Sequence, residues 1–216
     1  SIKALLKVLG KLLVKVVTTP FRLFADDDIQ YIPFDLLHPD FSADEYVMLD
    51  DVASTMSAQP NLSVVFEQRV NYEETLQRLC NMQLQRDYYL SQHPEMDPKG
   101  IDFLTNEAIQ SIKLNDKGLC DYAVQFSEKE KLSSKKDVAS VAYAEYHENS
   151  KDIILRLMDR RNALLSNYLL NVKGLPSNQV SVTKLDEASL ETYKKETRYE
   201  LHIVTEEEME GRLVDD

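Results

Sequence analysis

Residues 157–182, LMDRRNALLSNYLLNVKGLPSNQVSV, decide the fold of this chain. They close a long helical segment running from about Lys151 to Val172, with Ile154, Leu157, Met158, Leu165 and Tyr168 as its apolar stripe. Gly174 stands where a helix turns off through a left-handed residue, and Pro176 just beyond cannot continue it. A strand follows from Gln179 to Leu185, with Val180 and Val182 on one face. One residue breaks the stripe. Arg161 sits between Leu157/Met158 and Leu164/Leu165, where its stem can lie on the core, where it can pair with an internal acid, or where its fork can meet a carboxylate ligand.

Downstream, Ser189–Glu196 reads as a loop or short helix, and Arg198–Thr205 as a last strand in which Tyr199, Leu201 and Ile203 alternate. The acidic tail from Glu206 is expected to fray. Upstream, Tyr31-Ile-Pro-Phe-Asp35 is a short extended segment that Pro33 places at a sheet edge or a strand start. Ser42-Ala-Asp-Glu45 is a capping box, followed by a helix with Tyr46, Leu49, Val52, Ala53 and Met56 on its apolar face and Pro60 at its end. Leu62–Val70, rich in β-branched residues, is a strand. Asn71-Tyr-Glu-Glu74 is a second N-cap, opening a helix to about Ser91.

His93–Gly100 is a loop by its prolines and glycine. Residues 101–150 are expected to be helical in pieces, Ile101–Ile112, Gly118–Phe126 and Val138–Asn149, with Ser133-Ser-Lys-Lys136 as a solvated connection. With residues 72–150 set aside the order is β-α-β-α-β-β, which predicts an α+β fold: a two-layer α/β sandwich with a large, mainly helical insertion at about 72–150.

The chain has 216 residues, 25 Lys+Arg, 37 Asp+Glu and a net charge of −12. Residues 1–24 hold Lys3, Lys7, Lys11, Lys15 and Arg22 and no acid, so taking their +5 from the total leaves −17 on the remainder. Lysines four apart form a slowly drifting polar stripe on a helix, and Leu5, Leu9, Leu12, Leu13 and Val16 fill the other side. Pro20 stops such a helix near Thr18. From Ile2 to Val17 it would be roughly 24 Å long, short of a hydrocarbon core of ~30 Å. Lys7, Lys11 and Lys15 suit headgroups, so the helix either lies in a membrane interface or docks its aliphatic face on protein, its own or a second copy. The lysines run through the apolar part and no small-x-small site follows, so it reads as a permanent element rather than a secretory signal. The start at Ser1 reads as an excerpt of something longer. The acidic body, without a basic cluster interleaved with aromatics, argues against nucleic acid as a partner.

Catalytic patterns are missing. There is no GxSxG, P-loop or GxGxxG, and His38, His93, His147 and His202 lack zinc-motif spacing. Asp50/Asp51 and Glu73/Glu74 read as helix-surface charges. Cys80 and Cys120 are one disulfide or two buried thiols, the apolar setting of Cys80 among Leu76, Leu79 and Leu84 favouring thiols. No cofactor, metal or catalytic constellation is implied, and the chain reads as a non-enzyme.

Leu157, Arg161, Tyr168-Leu169, Lys173-Gly174-Leu175-Pro176 and Val180–Val182 together resemble the second half of an OmpA-like domain, and KKETRYELHIV resembles its final element. The opening LGKLLVKVVTTPFRLF is similar to a segment of large AsmA-like envelope proteins, where it precedes a degenerate OmpA-like domain. The resemblance implies a Gram-negative envelope protein on the periplasmic side, anchored to the inner membrane by an upstream part and associated with outer-membrane biogenesis or lipid traffic. The implied domains are residues 1–24, an amphipathic helix, and 25–210, the OmpA-like domain. The implied partners are envelope proteins or a membrane surface. Peptidoglycan and a second copy of the chain are the alternatives. In wall-binding members an arginine and an aspartate grip a diaminopimelate side chain. The resemblance assigns the arginine to Arg161 and the aspartate to Asn71 or its vicinity, while Ile154 stands where the family usually has an asparagine. A neutral Asn71 lacks the attraction for the ligand's ammonium.

Overall fold

A computed structural model of the chain describes residues 24–26 and 29–205. The leader residues Leu5, Lys7, Leu9, Lys11, Leu12, Leu13, Lys15 and Val16, and the tail from Glu206, lie outside them. The fold is α+β, with a mixed, open sheet. The described residues divide into two compact units, one of those up to 35, 40–70 and 160–205, the other of 36–39 and 71–159.

The first unit contains the sheet. Its strands are β1 (Phe24–Asp26), β2 (Ile29–Pro33), β3 (Leu62–Arg69), β4 (Val180–Lys184) and β5 (Arg198–Thr205), in the order β1-β2-β5-β3-β4. β3 pairs parallel with β4, and every other pairing is antiparallel. Pro33 ends β2 rather than starting it. Its missing amide is tolerated because β1 pairs with β2 only as far as Tyr31. Period-two alternation puts Val64, Phe66 and Gln68 of β3 opposite Ile203, Leu201 and Tyr199 of β5 on one face. Phe66 and Tyr199 are almost wholly buried there, their rings edge to face at 6.2 Å, and Tyr199 stacks on Phe34 at 4.6 Å. Val180 and Val182 join that face opposite Val64 and Phe66.

Helix α1 (Ala43–Ala58) starts at the expected capping box. Ser42 Oγ accepts the Glu45 amide at 3.2 Å and Glu45 Oε2 accepts the Ser42 amide at 2.8 Å. It buries Met48, Leu49, Val52, Ala53 and Met56. The turn into β3 is clamped by Gln179, whose amide donates to the carbonyls of Met56, Gln59 and Leu62 at 3.3, 3.1 and 3.0 Å.

The second unit is helical. α2 (Tyr72–Gln92) is capped by Asn71, whose side chain accepts the Glu74 amide at 3.3 Å. The helix expected over Ile101–Ile112 shrinks to α3 (Glu107–Gln110). Asp102 takes the Leu104 amide and Asn106 takes the Ile109 amide, so two side-chain caps interrupt the backbone ladder. α4 (Lys117–Ala123) is capped by Asp116. The expected break near residue 150 is absent: α5 runs unbroken from Lys135 to Asn167. Ser150 is tolerated inside it because its hydroxyl bonds back to the Tyr146 carbonyl at 2.8 Å and accepts Gln83 Nε2 at 2.6 Å. The connection expected at Ser133–Lys136 is already the helix start, with Ser134 Oγ accepting the Asp137 amide at 3.1 Å. Cys80 and Cys120 are both buried free thiols. Burial pushes each above the ordinary thiol value.

The last turns of α5 belong to the first unit. They continue as a π-helical turn, Tyr168–Val172, and stop at Gly174, whose φ of 71° lies in the left-handed region. The Leu175 amide reaches back to the Leu169 carbonyl at 3.1 Å. A short α6 (Glu187–Leu190) precedes β5.

Candidate functional site

Arg161 lies on the buried stripe of α5, between Met158 and Leu165, and is only 3% exposed. A guanidinium so placed must find its partners inside the protein. Its Nη2 bonds to Glu45 Oε1, and its Nη1 donates to the Asp40 carbonyl at 2.8 Å. The guanidinium carbon stands 4.3 Å from the Phe41 ring centre and 5.1 Å from that of Phe34. Glu45 is 6% exposed and spends its second oxygen on the Ser42 amide. The internal-acid reading of Arg161 is therefore the one the geometry meets.

Asn71 falls in the other unit, where its side chain is committed to the α2 cap and also donates to Glu74 Oε2 at 3.3 Å. Each of the two residues that the resemblance assigned to a ligand thus has partners within its own unit. Ile154 is fully buried.

A second polar cluster surrounds the π turn. Asp50, read from sequence as a surface charge, accepts the Tyr168 hydroxyl and pairs with Lys173 Nζ at 2.8 Å. Partial burial opposes its ionisation, but the hydrogen bonds from Lys173 and Tyr168 outweigh it and hold the carboxyl below its usual range. Lys173 stands 5.3 Å from the Tyr168 ring centre. Tyr46 and Phe41 complete an aromatic cluster with Tyr168 at 5.1 and 6.0 Å.

The face of the sheet away from Phe66 and Tyr199 is charged. The register sets Glu67 opposite Glu200, Arg69 opposite Arg198 and Val65 opposite His202. Arg69 reaches Glu67 Oε2 at 2.9 Å and Glu200 Oε2 at 3.2 Å. Arg198, 4% exposed, holds Glu200 Oε1 through Nη2 at 2.7 Å and Nε at 3.1 Å, and lies over Tyr31 at 4.3 Å. His202 Nε2 is 3.4 Å from Glu67 Oε2. The neighbouring His202 and then Arg69 hold the Glu67 carboxyl below its usual range against the opposing effect of burial. Among the described residues, Glu67, Glu200 and His202 form a group whose donor atoms could hold a metal ion. Motif spacing missed it because the donors come from strands more than a hundred residues apart. The alternation of β5 was the available signal, since it sends Glu200 and His202 to one side.

In the second unit, Tyr88, Tyr89, Gln92, His93, Lys113 and Asp116 line part of a cleft of about 600 Å³. Asp116 is engaged as the α4 cap, and the Tyr89 and His93 rings meet at a tilt, 4.4 Å between centres. Tyr146 donates to Asp87 at 2.8 Å, and burial with that neighbouring acid drives its hydroxyl far above the ordinary phenol value.

Compared with protein-family models, with curated proteins and with solved structures, the chain matches none. Among the described residues, no helix is long and apolar enough to cross a membrane.

Proposed function

We propose that this chain is a non-catalytic docking domain of the bacterial cell envelope, with an OmpA-like α/β core, carried on the periplasmic side by an AsmA-like protein of outer-membrane biogenesis or lipid traffic. The order β2-α1-β3, then α5-β4-β5, with the second helical unit between, supports the OmpA-like reading of the core. The observation that carries the docking role is the bond between Arg161 and Glu45. A wall-binding arginine must offer its fork to a carboxylate of the ligand. Here that fork is already neutralised by an internal carboxylate and covered by Phe34 and Phe41. The domain keeps the arginine as a core element, and recognition moves to other surfaces. The basic, aliphatic stretch from Leu5 to Val16 supplies one, suited to anionic lipid or to an apolar protein face.

The test is sedimentation with diaminopimelate-type sacculi beside flotation with vesicles of phosphatidylethanolamine and phosphatidylglycerol. The chain should float, a version lacking residues 1–24 should not, and neither should sediment with sacculi. Sedimentation with sacculi would favour the peptidoglycan-binding alternative. Failure to float, with a dimer in light scattering that residues 1–24 sustain, would favour an oligomerisation domain.

A further inference from the structure

The charged face of the sheet holds an arrangement that two carboxylates and two arginines do not explain alone. Donor atoms of Glu67, Glu200 and His202 all lie within 4.8 Å of one another. His202 Nε2 is buried and makes no hydrogen bond, although it stands 3.4 Å from Glu67 Oε2. Zinc bound at ~2.0–2.1 Å in tetrahedral geometry separates neighbouring donors by about 3.4 Å. The 3.4 Å between His202 Nε2 and Glu67 Oε2 is thus also compatible with two ligands of one ion.

We propose that Glu67, Glu200 and His202 form a divalent-metal site of the zinc class, with Arg69 as the resting counter-cation that the metal displaces. Arg198 fixes Glu200 through Oε1 and leaves Oε2 to Arg69, the role a hydrogen-bonding partner plays behind a ligating carboxylate. Arg198 is itself buried over Tyr31 and stays in place. Arg69 differs: its side chain is 25% exposed, and it bridges Oε2 of both glutamates, the atoms a metal would take. Swinging it into water leaves two carboxylates and one imidazole around one point. An imidazole with two carboxylates suits zinc or its neighbours in the first transition row, with water in the fourth position. Calcium and magnesium prefer six or more oxygens. The side chains of Glu67 and His202 are 28% and 32% exposed, which leaves an entry path. The ion would clamp β3 to β5 at the middle of the sheet.

The test is titration of the tag-free chain with cobalt(II), read by its visible d–d absorption, and with zinc in competition with a chromophoric chelator. The expected result is one ion per chain, with four-coordinate d–d bands and no thiolate charge-transfer band, which separates this site from Cys80 and Cys120. Glu67→Gln and His202→Gln should each lose the bands while circular dichroism stays unchanged. Arg69→Met should move the midpoint to lower metal concentration, which a purely structural ion-pair ladder does not predict. Bands that survive in Glu67→Gln or His202→Gln would overturn the proposal. So would their absence from the wild-type chain, including the case in which Arg69→Met alone shows them and Arg69 is the permanent occupant.

Discussion

Arg161 and Glu45, buried together, share a bond, and the same Glu45 carboxylate holds the Ser42 amide at 2.8 Å. One acid therefore both starts α1 and neutralises the cation on the stripe of α5. Removing one member of a buried pair strands the other's charge, so Glu45→Gln and Arg161→Ala should each cost about 3–5 kcal/mol. The double variant Glu45→Gln/Arg161→Ala removes both charges and should lose much less than the two singles together. Urea unfolding of the four proteins measures the coupling; additive losses would refute the pair.

Much of this arrangement was legible from sequence. Ser42-Ala-Asp-Glu45 announces a capping box because hydroxyl and carboxylate three residues apart serve each other's amides. Arg161 stood out because it interrupts a stripe. Its partner did not, since Glu45 already had a local role and its second oxygen is free to act over long sequence distance. The unbroken α5 was missed for a related reason. Asn149-Ser150 looks like a helix end until Gln83, on another helix, supplies the partner that lets Ser150 be buried. The short α3 shows the converse, where Asp102 and Asn106 won over an apolar pattern by capping locally.

Asn71 acts as a helix cap, so the substitution matters by cap chemistry. Asn71→Asp should cost less than Asn71→Ala, because aspartate still accepts the Glu74 amide although it loses the donation to Glu74 Oε2, whereas Asn71→Ala should cost about 1 kcal/mol. Neither change should confer binding to sacculi. Denaturation midpoints and sedimentation check both halves.

Asp50 makes the stability depend on acid. Its carboxyl is held below the unfolded value of about 3.9 by Lys173 and Tyr168. A depressed folded pKa contributes fully above the unfolded value and is lost as pH falls through the folded one. Asp50→Asn should therefore be less stable than wild type at pH 7, and the gap should close as the pH is taken below about 4. A gap that stays constant down the acid limb would show that the pair with Lys173 contributes nothing.

Cys80 and Cys120 are both buried and reduced. A thiol reagent should react with neither in the native chain and with both once denaturant unfolds it, at a rate that follows unfolding. Fast labelling of either native thiol would contradict its burial.

The state of the Arg161 fork is read most directly from the nitrogen-15 NMR spectrum of its guanidinium, with and without meso-diaminopimelate. A guanidinium locked on Glu45 and Asp40 should show resolved, slowly rotating Nη groups that do not shift when the ligand is added. Averaged Nη signals that move on adding diaminopimelate would show an available fork, and would contradict the account of a docking domain whose arginine is closed from within.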